Sequence, residues 1–266
     1  MGHLTRFLRH PLRAIRRRGT HEPSDRSGSW SNFLADEIRA LTNDERSFLR
    51  FCLDNVGETH AQILQDLWVL FECGSARDGY FVEFGATDGK SLSNTYLLEK
   101  SFGWRGLLAE PNPLWHAALR QNRSAAISDL CVSATGGENV EFLVPAKPEL
   151  STLASSAPDE RHPKFRKKAK SIQVNTVTLI DLLRGFKAPT TIDYMSIDTE
   201  GSELSILGAF DFGRYDVKLF SVEHNHTNAE REIDLLMERN GYQRRFRNLS
   251  AWDAWYRKRP PSGLAA

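Results

Sequence analysis

The stretch that most constrains this chain is Gly79 to Gly89, reading GYFVEFGATDG. Tyr80, Phe81, Val82 and Phe84 form a short apolar run of the kind buried on both faces of a parallel sheet. Glu83 stands near its end, and Gly85 and Gly89 bracket a tight turn. Ser91, Ser93 and Asn94 then offer capping side chains to a helix through Tyr96, Leu97 and Leu98. Strand, glycine turn and helix start together leave backbone N–H groups free at the carboxyl end of a sheet, where nucleotide-like ligands bind. Thr87 and Lys90 stand where a dinucleotide fingerprint, G-x-G-x-x-G, has glycine, which disfavours a nicotinamide oxidoreductase.

Beyond this turn the chain alternates strand and helix. Strands are predicted at Arg105 to Ala109, Ala125 to Val132, Val140 to Val144, Ile172 to Val177, Ile192 to Ile197 and Val217 to Val222. Helices are predicted at Trp115 to Asn122, Leu179 to Leu183, from Glu203, and from Asn228 to Asn240, where Gly241 serves as the stop. Tyr242 to Arg247 and Ala254 to Arg257 read as a terminal antiparallel pair. Such alternation implies an α/β open sheet, mostly parallel, with right-handed crossovers. Ahead of it, Phe33 to Val56 and Ile63 to Phe71 read as amphipathic and apolar helices that cap the sheet.

The 266 residues, 40% hydrophobic and 26% charged, suit one large soluble domain with appendages. We divide them into a basic arm and linker (1–31), a helical cap (32–78), the α/β domain (79–258) and a tail (259–266). Cys52, Cys73 and Cys131 are odd in number and lack C-x-x-C spacing, which fits a reducing compartment and argues against structural zinc. No apolar run reaches the roughly 18 residues of a membrane span. Six arginines precede Glu22, leaving 29 basic against 34 acidic residues, a mildly acidic body that argues against a nucleic-acid-binding surface spread over the domain. Leu4, Phe7, Leu8, Leu12 and Ile15 face away from those arginines, as in a basic segment lying on an anionic membrane, although Pro11 interrupts it and a disordered tail is the simpler reading. A myristoylation signal fails at Arg6 and a secretory signal lacks its apolar core. The expected location is cytoplasmic, at the inner face of a membrane if the arm docks there.

Four predicted strands end in acidic or polar clusters: Glu83 with Asp88, Glu110, Asp198 with Glu200, and Glu223 with His224, Asn225 and His226. In a parallel sheet these ends meet along one edge. Glu110 is the most informative, 25 positions beyond Gly85 at the end of the second strand. There a carboxylate can accept hydrogen bonds from both hydroxyls of a ribose.

The blocks GYFVEFGATDGKSLSNT, LLAEPNP, ISDLCVSA, LSTL, IDYMSIDTEGSELSIL, FSVEHN and NGY, in this order from Gly79 to Lys258, resemble the FkbM-type family of S-adenosylmethionine-dependent methyltransferases. The resemblance implies a class I methyltransferase fold, Rossmann-like, with an antiparallel terminal strand. It implies that Glu83, Gly85, Asp88 and Gly89 shape the pocket for the methionine half of S-adenosylmethionine. Glu110 would hold the ribose, Asn112 would border the adenine, Ser128 or Asp129 would reach its amino group, and Asp198 would lie beside the sulfonium. The implied reaction is methyl transfer to a hydroxyl of a sugar, glycan or secondary metabolite, the alternative being a non-catalytic binding module on the same fold. A hydroxyl must lose its proton, to a base or under the influence of a metal. His224 and His226 are candidate bases. Asp198, Glu200 and Glu223 could instead gather magnesium, a choice we rank second. Ser151-Thr152-Leu153 and the basic residues Lys164, Arg166, Lys167, Lys168 and Lys170 fall where this family has a mobile segment over the cleft.

Overall fold

The computed structural model describes residues 39–156 and 169–260. The basic arm, the C-terminal tail and most of the lysine-rich run lie outside them, as does the start of the cap. Helix α1 (Asn43–Asn55) opens on a reciprocal cap, the Thr42 hydroxyl accepting from Glu45 N at 3.1 Å while the Glu45 carboxylate accepts from Thr42 N at 2.8 Å. Helix α2 (Gln65–Glu72) follows. The α/β part then runs β1 (Tyr80–Phe84), α3 (Tyr96–Phe102), β2 (Arg105–Ala109), α4 (Pro113–Asn122), β3 (Ala126–Ser128), β4 (Cys131–Ser133), β5 (Asn139–Val144), β6 (Thr152–Leu153) and β7 (Lys170–Thr178). It ends with α5 (Leu179–Gly185), β8 (Thr191–Ile197), α6 (Glu203–Gly208), β9 (Asp216–Glu223), α7 (Ala229–Arg239), β10 (Tyr242–Arg245) and β11 (Asp253–Lys258).

Seven strands form the main sheet in the order β10-β11-β9-β8-β1-β2-β3. β9, β8, β1, β2 and β3 pair in parallel, and β11 alone runs against its neighbours β9 and β10. This is the class I methyltransferase arrangement. The chain order reverses beside β1, and the carboxyl ends of β1, β2, β8 and β9 open on one edge.

Alternation along the strands explains why the sheet is covered on both sides. Val82 and Phe84 of β1 join Leu107, Met195, Ile197 and Val222 in a core closed by α5, α6 and α7. Phe81, one residue out of phase, joins Leu108, Tyr194 and Trp255 in the opposite core with α1, α2, α3 and α4. The N-terminal helices are thus part of the packed core. Phe48 of α1 stacks on Phe246 with ring centroids 4.9 Å apart, and Trp68 of α2 stacks on Trp255 at 5.2 Å.

One predicted strand divides. Residues 125–132 break at Asp129 and Leu130, where the Ser128 hydroxyl accepts from Leu130 N at 3.2 Å and turns the chain. β3 stays in the main sheet, and β4 leaves to pair with β7 in a second sheet of order β4-β7-β5-β6. That sheet has its own small core of Cys131, Phe142, Leu153 and Val174. It stands beside the open edge as a wall.

A buried arginine ties the strand edge together. Arg123, just past α4, has no exposed side-chain surface, yet it reaches Glu99 at 2.7 Å, Glu83 at 3.5 Å, the Gly89 carbonyl at 3.1 Å and the Thr95 hydroxyl at 2.8 Å. Removing one partner of a buried ion pair costs about 3–5 kcal/mol, because the other charge is left without compensation. Arg123→Met is therefore expected to lower the thermal midpoint by on the order of 10 °C. Adding Glu83→Gln should restore part of the loss; a double variant as unstable as the sum of the singles would contradict this pairing.

Candidate functional site

The carboxyl ends of β1, β2, β8 and β9, with the β4–β6 wall and the segment 147–151, enclose a cleft of about 460 Å³, within the range of small-ligand sites. Its geometry is set first by Gly85, at φ +72°. A Cβ there would lie 2.2 Å from the Asp198 carbonyl oxygen, so only glycine lets the first turn and the end of β8 meet. Gly85 N donates to the Ala109 carbonyl at 3.0 Å, locking the turn to β2.

Glu110 closes the same junction from β2. One carboxylate oxygen accepts from Thr87 N at 2.9 Å and the other from Asn112 N at 2.8 Å, so the group points at the Gly85–Gly89 bend and lines the cleft. Each oxygen keeps a further lone pair for a ligand hydroxyl. Burial pushes its carboxyl up to about 7, against the two amide bonds, which pull it down.

Glu83 is buried but does not line the cleft. It accepts from Asn94 N at 2.8 Å and the Thr95 hydroxyl at 2.5 Å, and pairs with Arg123. It thereby positions Asn94, whose Nδ2 donates to the Ser196 hydroxyl at 2.9 Å and whose Oδ1 is buried on the cleft wall with no hydrogen-bond partner. Asp88 caps its own turn, accepting from Lys90 N and Ser91 N at 2.8 and 2.7 Å, while Gly89, at φ +75°, packs on Leu119 and Arg123. Asn112 caps α4 through Leu114 N at 3.1 Å and donates to the Ser151 hydroxyl at 3.3 Å, without reaching the cleft surface. Ser128 is buried behind it. Asp129 is half-exposed and faces Arg120 at 2.7 Å, outside the cleft. The neighbours Leu130, Cys131 and Val132 take the wall there instead.

The acidic residues after β8 and β9 converge. Asp198, Glu200 and Glu223 each bring one carboxylate oxygen within 4.8 Å of the other two. The loop between them is rigidly held: Glu203 Oε1 accepts from Thr199 N at 3.0 Å and Gly201 N at 2.9 Å, and the Thr152 hydroxyl donates to the Glu200 carbonyl at 2.9 Å. Removal from water and then the nearby Glu203 charge raise the Asp198 carboxyl; burial and then Asp198 raise Glu223 well above the carboxylate range.

The two histidines are placed elsewhere. His224 is buried behind β9, its Nδ1 accepting from His226 N at 3.0 Å and its Nε2 lying 3.2 Å from an Arg244 nitrogen. Burial pushes it down to about 4. His226 is exposed, and neither ring lines the cleft. The strand-end signal that grouped them with Glu223 carried no information on which way the chain turns after β9. Left-handed Asn225 and His226, at φ 51° and 58°, make that turn.

Sequence reasoning gave no cleft role to Asn94, Thr87, Gln65, Trp252 or the 147–150 segment. Thr87, Leu92, Glu200 and Asn225 all line the cleft in the left-handed region, a conformation that costs a non-glycine residue of order 1–3 kcal/mol and gathers at ligand sites. No residue type in the sequence marks that strain.

A family model described as the methyltransferase FkbM domain matches residues 83–244. No curated protein matches significantly. Among solved structures, precorrin-6y C5,15-methyltransferase from Geobacter metallireducens GS-15 is 11% identical, with 72% of this chain and 84% of that one covered and a TM-score of 0.39. A proposed RNA methyltransferase from Pyrococcus horikoshii is 9% identical, covering 74% and 82%, with a TM-score of 0.40.

The raised Glu110 carboxyl has a measurable consequence. The proton it holds when folded stabilises the chain fully below the unfolded value of about 4.3, and that contribution is lost as pH rises through about 7. In urea titrations at pH 5 and 8, Glu110→Gln should gain stability relative to the parent as pH rises, by up to about 3 kcal/mol. A difference that does not change with pH would contradict the assignment.

Proposed function

The chain belongs to the FkbM methyltransferase family, and from that premise we propose that it is an S-adenosylmethionine-dependent O-methyltransferase acting on a hydroxyl of a small molecule or glycan. The observation that carries the reading is the Glu110 carboxylate, braced by Thr87 N and Asn112 N at the mouth of the Gly85 turn.

The cleft fits the cofactor's chemistry. Glu110 would take the ribose hydroxyls, and the close turn at Gly85 would admit the chain beyond them. Asn94 Oδ1, an acceptor with no donor, suits the methionine ammonium. Leu130, Cys131 and Val132 offer a largely apolar wall for the base. When bound, S-adenosylmethionine supplies an electrophilic methyl group, which passes to the acceptor oxygen as the carbon–sulfur electron pair returns to sulfur.

The chain's own part is alignment and proton removal. With both histidines outside the cleft, the groups that can take the hydroxyl proton are carboxylates: Asp198, Glu200 and Glu223. Among the described residues the lining sets five carboxylates, Glu110 and Glu149 included, against one cation, Lys147, which favours a neutral acceptor over an anionic one and argues against nucleic acid as substrate. The lysine-rich run that would have favoured an acidic saccharide lies almost wholly outside the described residues, as does the basic arm on which membrane contact rests. Among the described residues no helix is long and apolar enough to cross a membrane, and all three cysteines are free. A cytoplasmic enzyme is part of the proposal. A non-catalytic binding module would keep the cofactor site and lose the carboxylates that handle the proton.

Calorimetric titration with S-adenosylhomocysteine is expected to give saturable binding. Glu110→Ala should weaken it at least about tenfold, the worth of hydrogen bonds to a charged group. Gly85→Val should abolish it, because its side chain would occupy the Asp198 backbone. No heat with the parent protein would overturn the reading.

A further inference from the structure

The chain gives some buried carboxylates, Glu83, Glu99 and Glu72 among them, an arginine, and leaves Glu223 in the cleft without an ion pair among the described residues. Glu83, inside the sheet edge, has Arg123 and several donors. Across the cleft floor, neither Asp198 nor Glu223 forms an ion pair among the described residues. Glu223 is 7% exposed, and its Oε2 is buried without a hydrogen-bond partner. Both residues line the cleft beside Glu200, with one oxygen of each within 4.8 Å of the other two. Bare charges so close, Glu223 buried and the other two partly so, repel one another and favour a cation or a proton between them.

We propose that Asp198, Glu200 and Glu223 hold a divalent, oxygen-preferring cation, Mg²⁺ or Mn²⁺, at the floor of the cleft. Three carboxylates with no nitrogen or sulfur donor select hard ions over zinc or copper. Three protein oxygens also leave room in an octahedral shell for waters or an acceptor oxygen. The loop is prepared for the role: Glu203 and Thr152 fix the backbone of residues 199–201, so the ligands need little reordering.

A second cluster, His224, His226 and Glu230, lies outside the cleft lining and also brings its donor atoms within 4.8 Å of one another. It suits a cation poorly. His224 Nδ1 already accepts the His226 amide, and the Arg244 guanidinium stands 3.2 Å from Nε2. A positive charge there would be repelled.

The proposal rests on the methyl-transfer reading only for its purpose. A cation in the triad would bind the acceptor through its hydroxyl oxygen and lower that hydroxyl's pKa. The proton would pass to a carboxylate oxygen left outside the coordination shell. The oxygen could then form its bond to the methyl carbon as the carbon–sulfur bond breaks. An acceptor with two neighbouring hydroxyls, able to chelate, is the class this site would prefer.

The test is Mn²⁺ binding to the chelator-stripped full chain, followed by electron paramagnetic resonance and by thermal shift, with and without S-adenosylhomocysteine. Half-saturation below about 1 mM is expected for a site of three carboxylates. Glu223→Gln and Glu200→Gln should each weaken it at least tenfold while leaving S-adenosylhomocysteine binding in place, and His226→Ala should change nothing. Absence of Mn²⁺ binding in a protein that still binds S-adenosylhomocysteine would sink the proposal and leave the cofactor reading standing. Loss of Mn²⁺ with His226→Ala but not Glu223→Gln would place the ion in the other cluster. Displacement of Mn²⁺ by S-adenosylhomocysteine would also overturn it, by showing that the two compete for one space.

Discussion

Everything at the open edge of this sheet depends on the missing side chain at Gly85. Its backbone meets the Asp198 carbonyl more closely than any Cβ allows, and that contact draws the ends of β1 and β8 together. Glu110 then spans from β2 to the same turn through Thr87 N. β2, β1 and β8, neighbours in space although β8 lies far along the chain from the other two, are thereby fixed to one another at the point where a ligand would sit. The remaining cleft walls, β4 to β6 and the residues after β9, are built around this junction.

Buried charge is handled in two ways within a short distance. On one side of β1, Glu83 is saturated by Arg123 and by the turn leading into α3, an arrangement that makes the cleft wall rigid. On the other side, Asp198 and Glu223 are left to raise each other's proton affinity. The first is structural; the second is where we propose that a proton or a cation is held.

The strand-helix rhythm and the acidic strand ends were legible because a parallel sheet buried on both faces demands near-continuous apolar runs and places their exits on one edge. The orientation of Glu110 toward the glycine turn followed from the same logic. Less was visible where local turns decide direction. Ser128 and Leu130 break a seemingly continuous strand in two, and left-handed residues after β9 carry His224 and His226 away from the cleft while Glu223 stays in it. Nor did alternation of polar and apolar residues show that Asn94, placed by Glu83, would present an unpaired oxygen to the cavity. The placement of Asn94 depends on a hydrogen bond to Ser196, far along the chain, which no local pattern encodes.

The central claim is that Glu110 grips a ribose. It is tested most directly by comparing the affinity of S-adenosylhomocysteine with that of its 2′,3′-dideoxy analogue, in the parent protein and in Glu110→Gln. The parent is expected to lose on the order of tenfold or more with the analogue, the worth of hydrogen bonds to a carboxylate, and Glu110→Gln to show a much smaller loss. Equal discrimination by both proteins, or none by either, would contradict it.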